Sequence, residues 1–314
     1  MGYYTYYRSK LSSKNQCIYD EVLTNLKSSI FSFDINIPYF DCTSIFTESI
    51  LLDHPEIFFL NNIISISGNS NFIHFEFKRT INSPETKLIS KNISQEISKN
   101  FSALKNKTIY EKVSGVFEWF QQNVTYSKDT KNCGNIIGAI CEHRASCQGI
   151  SLASKLIFDF LKVNSIVVKG SLKDKNLKEN HAWLMVEIDN AFYHLDITNC
   201  LDGLHTFFCV PTREIMNDYF YDIDFYPCCN SLAFNYYEKN NFLVNFNHAF
   251  LSNFFSKNRI KRGDSLEFQL SNTDFSDYSN ELVKYAQKFN RSLFPTKFLI
   301  FYNLEHQVYK IKRI

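Results

Sequence analysis

The chain lacks the sequence features that would direct it to a membrane, to secretion or to nucleic acid. No apolar stretch reaches the ~18 residues that a membrane-spanning helix needs, since the run 57–60 is interrupted by Asn61 and Asn62. Residues 1–6 contain no apolar core of the kind that signal peptides carry. The formal net charge of +2 is too small to indicate binding to nucleic acid or to a membrane surface. We therefore expect a cytoplasmic protein with no nucleic-acid or membrane partner.

Cysteine is present, but not in a pattern typical of a disulfide scaffold or of a metal site. The nine cysteines are an odd number, which does not predict a disulfide framework in a chain of 314 residues. No two of them have Cys-x-x-Cys spacing, so a structural zinc is unsupported, and no acidic cluster has the spacing of a calcium loop. The adjacent Cys228 and Cys229 are interpreted as two small, semi-buried side chains. The sequence predicts neither a metal nor a cofactor.

The composition, 45% hydrophobic and 21% charged, is that of a globular protein with one large or two modest domains. Ser83 and Pro84 form a helix start, with Ser83 as the expected N-cap. Apolar periodicity predicts helices at 14–32, 41–52, 83–104, 108–124 and 147–162, and strands at 56–66, 72–79, 164–169, 181–188 and 191–197. Beyond residue 200, weaker patterns favour helices near 212–220, 231–239, 246–257 and 274–290, and a small sheet of strands near 265–271, 297–303 and 306–313.

The most informative segment is 145–151, in which Cys147 stands at the start of an apolar helix. A helix N-terminus offers unpaired N–H groups and the positive end of the helix dipole, and both favour the reactive thiolate. We expect Ser146 to cap this helix and Gly149 to leave room for a substrate chain. The backbone N–H of Cys147 is also placed to donate to an oxyanion. The sequence therefore predicts Cys147 as a nucleophile.

A second thiol and imidazole, Cys141 and His143, lie in the loop before this helix and are the alternative nucleophile and base. Two residues so close together in a loop rarely hold a rigid mutual geometry. The position of Cys147 at a helix start is therefore favoured.

The partners of Cys147 are predicted from the pairing of two strands. Asp189 and Asn190 tolerate positive φ and suit a two-residue hairpin turn, in which residue 188 faces residue 191. This register places His181 and Asp196 diagonally on one face, about 7–8 Å apart at Cα. His181 is then within reach of Asp196 and acts as the base, while Asp196 fixes its tautomer.

Two further residues share this face of the predicted hairpin. His194 is interpreted as a half-exposed strand residue. Trp183 has two open interpretations, a wall of the acyl pocket or core packing, and we assign it with Gly149 to substrate binding.

Three segments together resemble the transglutaminase-like superfamily of papain-type cysteine proteins, in its bacterial branch. They are Cys147-Gln148-Gly149 at a helix start, His181-Ala182-Trp183 on a strand and Tyr193-His194-Leu195-Asp196-Ile197-Thr198 on the next strand. The match covers roughly residues 107–202, about a third of the chain. Leu184 and Asn199 stand where bacterial members often have Asn and Trp.

The resemblance implies an α+β fold with a papain-like core, in which a nucleophile helix packs on an antiparallel sheet. It implies a catalytic core at 107–202, which follows a helical N-terminal extension with a β-hairpin at 1–106. Residues 203–314 lie outside the resemblance and are expected to form an α/β region of unknown role. It also implies acyl transfer through a thioester, with Cys147 as nucleophile, His181 as base and Asp196 as orienting carboxylate. The implied partner is a protein or peptide substrate.

Two functions are compatible with these observations. The first is a thiol acyl-transfer enzyme, a peptidase or amidase rather than a crosslinking enzyme. The second is a catalytically inactive binding or scaffolding protein on the same fold, which the substitutions at Leu184 and Asn199 and the 18 Tyr and 31 Phe allow. The retention of all three catalytic residues favours the enzyme.

Overall fold

A computed structural model describes residues 4–173, 178–290 and 297–314. Within these ranges no helix is both long and apolar enough to cross a lipid bilayer. The α-helices are α1 (Tyr6–Lys10), α2 (Ser13–Lys27), α3 (Leu51–Asp53), α4 (Ser83–Phe101), α5 (Ile109–Asn123), α6 (Ile136–Ile140), α7 (Cys147–Leu161), α8 (Thr212–Ile215), α9 (Tyr236–Lys239), α10 (His248–Lys257) and α11 (Ser279–Phe289). A π-helix (Ile45–Ile50) precedes α3, and 3-10 helices occupy Pro55–Ile57, Ser102–Leu104 and Thr198–Cys200.

The strands form three sheets and one short pair. They are β1 (Ser32–Ile35), β2 (Leu60–Gly68), β3 (Ile73–Arg79), β4 (Thr125–Tyr126), β5 (Arg144–Ala145), β6 (Ser165–Lys173), β7 (Lys178–Ile188), β8 (Ala191–Leu195), β9 (Phe208–Val210), β10 (Tyr219–Phe220), β11 (Leu243–Asn245), β12 (Ser265–Ser271), β13 (Phe298–Asn303) and β14 (Val308–Arg313). Helices are combined with mainly antiparallel sheets, so the architecture is α+β.

The central layer is a five-stranded antiparallel sheet in the order β10-β6-β7-β8-β9, against which α7 packs. The apolar face of α7 is fully buried through Ile150, Ala153, Ile157 and Phe158. The helix ends at Lys162, whose left-handed conformation (φ 58°) stops it before β6. The predicted helix followed by three strands is therefore confirmed.

The predicted register of the β7–β8 hairpin is also confirmed. Ile188 pairs with Ala191 across a turn in which Asp189 (φ 51°) and Asn190 (φ 63°) both have positive φ. That combination defines the type I′ turn, which matches the twist of the two strands. The ladder ends at the pair Leu184 and Leu195, so Asp196 follows directly after β8.

The N-terminal region packs a helix against a three-stranded sheet in the order β1-β3-β2. Two sequence predictions are wrong here. The helix expected to reach residue 32 ends at Lys27, and residues 32–35 pair with β3 instead. The N-cap of α4 is Asn82 rather than Ser83, because the Asn82 side chain accepts a hydrogen bond from the Glu85 N–H at 2.9 Å.

Two tyrosine side chains, Tyr7 of α1 and Tyr226, satisfy backbone groups at the edge of β6. The Tyr7 hydroxyl donates to the carbonyl of Val167 at 2.5 Å, and the Lys169 N–H donates to the Tyr226 hydroxyl at 3.2 Å. A strand edge with free N–H and C=O groups would otherwise invite pairing with another chain. The N-terminal region is thereby joined to the central sheet.

The C-terminal region contains a four-stranded sheet in the order β11-β12-β14-β13, in which β11 runs parallel to β12 and the other pairs are antiparallel. The three strands expected here are confirmed, whereas β11 was not predicted. The helix expected at 212–220 is wrong: α8 ends at Ile215, and Tyr219–Phe220 form β10, which pairs with β6. Buried apolar residues of α10 and α11, among them Phe255 and Leu282, pack together in this region.

Apolar packing around α7 extends beyond residues 107–202 in both directions. Ile93 and Ile97 of α4 belong to the same buried cluster, and so do Phe208 and Tyr226. Separate clusters occupy the N-terminal and C-terminal regions. The domain boundaries therefore remain a prediction, with domains at 1–106, 107–202 and 203–314.

Candidate active site

Cys147 is the first residue of α7 and lines a cleft on the protein surface. The preceding Ser146 has the extended conformation of an N-cap (φ −82°, ψ 175°), but its side chain makes no capping hydrogen bond. Its hydroxyl donates instead to the carbonyl of Cys133 at 3.2 Å, so the expectation that this side chain caps the helix is wrong. The first N–H groups of a helix have no acceptor within the helix, and Cys147 stands at that end of α7.

Gly149 was expected to leave room for a substrate chain, but its surroundings are those of a buried packing contact. It is buried and does not line the cleft. A Cβ at this position would lie 2.1 Å from the carbonyl oxygen of Cys133 and 3.0 Å from that of Asn135. Glycine therefore allows the loop 133–135 to pack against the first turn of α7, rather than making space for substrate.

The strand β7 and the end of β8 bring His181 and Asp196 together. Nε2 of His181 lies 2.7 Å from Oδ2 of Asp196, and both side chains are almost completely buried. Because Nε2 is engaged by the carboxylate, Nδ1 is the ring nitrogen left to interact with the Cys147 sulfur. The structure thus brings His181 against Asp196 and places His181 in the lining of the same cleft as Cys147.

The surroundings of Cys147 and His181 favour a thiolate on Cys147 beside an imidazolium on His181. Burial alone raises the pKa of the Cys147 thiol, but the hydrogen bond and charge of His181 and the N–H of Ala182 outweigh burial and lower that pKa. Burial alone would lower the pKa of His181, whereas the charge and hydrogen bond of Asp196, together with Cys147, raise it to about 10. Charge separation within the pair is the condition for a nucleophilic sulfur.

Two residues that sequence reasoning missed hold the carboxylate of Asp196. The Tyr219 hydroxyl donates to Oδ2 of Asp196 at 2.5 Å, and the Asn199 N–H donates to Oδ1 at 3.2 Å. The Asn199 side-chain amide donates to the Tyr219 oxygen at 2.7 Å. Asn199 was visible as a departure from the family pattern, whereas no sequence signal pointed to Tyr219.

Trp183 and His194 form a buried pair behind the site. Trp183 is 1% exposed, its ring stacks on that of His181 with centroids 6.0 Å apart, and its Nε1 donates to Nδ1 of His194 at 3.0 Å. His194 is fully buried, and burial lowers its pKa to about 3, so it is a neutral acceptor. Trp183 is thus core packing rather than a pocket wall, and His194 is not half-exposed.

The rival pair of Cys141 and His143 is not arranged for catalysis. Burial and the charges of Glu96 and Glu142 raise the pKa of the Cys141 thiol. The ring of His143 packs at 5.7 Å from that of Trp119. In the described ranges no three His, Cys, Asp or Glu side chains are grouped in a way that would hold a metal ion.

The cleft that contains Cys147 and His181 has a volume of about 980 Å³. It lies between the N-terminal region and the central layer, so residues from both line it. Its lining includes Leu51, Leu52, His54, Pro55, Ile57, Phe58, Leu60, Ile81, Glu85, Ile89, Lys131, Ile136, Ile137, Gln148, Leu152, Val167, Lys169 and Ala182.

Comparison with known proteins gives a weak structural likeness and no sequence relative. No protein-family model matches the chain, and no curated protein matches it. A TGase crystal structure is 14% identical with a TM-score of 0.33, over 53% of this chain and 50% of that one. A candidate cysteine protease from Cytophaga hutchinsonii is 14% identical with a TM-score of 0.31, over 49% of this chain and 65% of that one. The chain thus spans less than two thirds of either protein.

Proposed function

We propose that the protein is a cysteine acyl-transfer enzyme of the transglutaminase-like superfamily that acts on protein or peptide amide bonds. Cys147 is the nucleophile, His181 the general base and acid, and Asp196 the orienting carboxylate. The observation that carries this proposal is the 2.7 Å contact between His181 and Asp196 beside a thiol whose pKa is lowered. A buried, oriented imidazole next to an activated thiol is the arrangement that acyl transfer requires.

In the first half of the reaction, the Cys147 sulfur attacks the carbonyl carbon of the amide, and a C–S bond forms while the carbonyl oxygen takes the negative charge. The backbone N–H of Cys147, in the first turn of α7, supports that oxygen. Collapse of this intermediate breaks the C–N bond. The leaving amine takes its proton from His181, and a thioester remains on Cys147.

In the second half, we propose water as the acceptor. His181 removes a proton from water, the oxygen attacks the thioester carbon, and the C–S bond breaks to return the thiolate beside the imidazolium. Cys147 is itself only partly buried and lines the cleft, so solvent has access to the thioester. An amine in place of water would give crosslinking by the same steps.

The test compares products formed by the wild-type chain, Cys147→Ala and Cys141→Ala in a protein extract, with mass spectrometric detection of new chain ends, deamidated glutamines and crosslinks. We expect products with the wild type and Cys141→Ala, and none with Cys147→Ala. New chain ends would identify hydrolysis, and crosslinks would identify an amine acceptor. Identical product sets for the wild type and Cys147→Ala would refute the enzyme and favour a binding or scaffolding protein.

A further inference from the structure

The walls of the cleft beside Cys147 combine apolar side chains with uncharged polar ones such as Asn132 and Asn180, and its Glu and Lys side chains lie at the rim. Leu52, Ile57 and Leu152 are buried, and Ile81 is half-buried. Three charged side chains that line the cleft, Glu85, Lys131 and Lys169, are all exposed. Ligand sites generally combine such apolar walls with a few polar groups that fix orientation.

This apolar wall begins close to the nucleophile. Leu152 follows Cys147 by five residues on α7, which places it roughly 7.5 Å along the helix axis at 1.5 Å per residue. Cys147 and Leu152 line the same cleft, so an acyl group on Cys147 shares that cleft with these apolar side chains. The volume of about 980 Å³ is large enough for a short peptide segment rather than a single small group.

The other surroundings of Cys147 are polar and open. Tyr126 is 41% exposed, and burial together with the negative charge of Cys147 raises the pKa of its phenol, so it stays neutral near the sulfur. Lys128 and Glu179 form an exposed ion pair in the same neighbourhood. None of these three residues lines the cleft.

During acyl transfer the acyl part of the substrate remains bound to sulfur, whereas the amine must leave and an acceptor must enter. The apolar side chains of the cleft suit the part that stays, and the polar surface outside the cleft suits the parts that exchange. We infer that the substrate is a peptide with a large apolar side chain on the acyl side of the scissile amide, bound in the cleft beside Cys147. This inference rests on the proposed function.

The test uses N-acetyl amino-acid chloromethyl ketones that carry Leu, Phe, Gly or Glu, with chloroacetamide as a small reference reagent. Each reagent forms a C–S bond to Cys147 and releases chloride, and peptide mapping by mass spectrometry gives the rate at that residue. We expect the Leu and Phe reagents to label Cys147 at least ~10-fold faster than the Gly and Glu reagents, after each is divided by the chloroacetamide rate. Equal relative labelling rates for the four reagents, or faster labelling by the Glu reagent, would overturn the inference.

Neighbouring positions on α4 provide a matched pair of variants. Ile89 lines the cleft, whereas Leu88 is 60% exposed and does not. Ile89→Asn is expected to lower the Leu-to-Gly labelling ratio several-fold, and Leu88→Asn to leave it as in the wild type. Ile81→Thr, on another wall, repeats the test if Ile89→Asn fails to fold. An unchanged ratio in a folded cleft variant would overturn the inference.

The two proposals fail in different ways. Rapid chloroacetamide labelling of Cys147 without side-chain preference would leave the enzyme proposal standing and overturn the substrate preference. A clear side-chain preference with a thiol no more reactive than the other cysteines would support the cleft and contradict the enzyme.

Discussion

Replacing Asp196 with asparagine removes the negative charge beside His181 and keeps the shape of the side chain. Asp196 is fully buried, and its two oxygens accept from different donors, Oδ2 from the Tyr219 hydroxyl and Oδ1 from the Asn199 N–H. The single amide oxygen of asparagine keeps one of these two bonds. The variant therefore removes the charge and one accepted hydrogen bond, while the volume of the side chain is kept. We expect it to shift the pH at which Cys147 becomes reactive.

The size of the effect follows from the pKa of His181. That pKa is raised from 6.5 to about 10, which at about 1.36 kcal/mol per pH unit corresponds to about 5 kcal/mol in favour of the charged imidazole. Without the Asp196 charge, burial lowers the pKa of His181, and the imidazole is neutral near neutral pH. The Cys147 thiol then loses its cationic partner, so its pKa rises towards and beyond the ordinary 9.0.

The assay is the rate of chloroacetamide alkylation at Cys147 as a function of pH, read by peptide mapping. At about pH 6, a thiol with an ordinary pKa is only about one part in a thousand ionised. A more basic thiolate is intrinsically more nucleophilic, which offsets part of this loss of ionised thiol. We therefore expect Asp196→Asn to label at least ~10-fold more slowly than the wild type at about pH 6, rather than by the full difference in ionisation. The difference is expected to disappear well above the ordinary thiol pKa.

The matched control is Asp189→Asn in the turn of the same hairpin. Asp189 is exposed, and asparagine tolerates its positive φ of 51°. This control is expected to label as the wild type does. Superimposable pH profiles for the wild type and Asp196→Asn would refute the role given to the carboxylate.

Two further predictions concern stability, measured by urea unfolding. Gly149→Ala is expected to destabilise the protein by about 1–3 kcal/mol through overpacking, because its Cβ would lie 2.1 Å from a loop carbonyl. Gly134→Ala, whose Cβ would meet nothing within 4 Å, is expected to change stability by no more than about 0.5 kcal/mol; equal effects would contradict the close packing. Lys155 and Asp159 form a buried ion pair at 2.5 Å on α7, so Asp159→Leu alone is expected to cost about 3 kcal/mol or more. Adding Lys155→Met is expected to recover most of that loss, and a double variant less stable than the single one would contradict this account.

Local sequence signals were sufficient to predict the elements that carry Cys147, His181 and Asp196. The helix that begins at Cys147 follows from apolar spacing, and the register that brings His181 to Asp196 follows from the two turn residues Asp189 and Asn190. Each of these features is set by residues a few positions apart. Such short-range patterns specify a helix or a hairpin almost independently of the rest of the chain.

The features that the sequence did not predict depend on contacts between distant segments. Tyr219 reaches Asp196 because the two-residue strand β10 pairs with Leu172 and Ser171 of β6. A strand of two residues has no periodicity to recognise, and the pattern around it favoured a helix. The burial of His194 depends in the same way on Thr212 and Tyr221, which contact its ring from outside the hairpin.

The apolar walls of the cleft illustrate the same limit. Ile57 and Ile81 belong to the N-terminal region, and Leu152 belongs to α7, yet all three line one cleft with Cys147. Nothing in the local pattern of either region shows that they face each other. Substrate preference therefore depends on how the regions pack.

The central claim, that Cys147 accepts an acyl group, is tested most directly by trapping the thioester. The protein is mixed with p-nitrophenyl acetate, quenched in acid and mapped by mass spectrometry before and after hydroxylamine treatment. The account predicts one acetyl group per chain on Cys147, released by hydroxylamine and absent in Cys147→Ala. Acetylation that is spread over other residues and is unchanged in Cys147→Ala would contradict it.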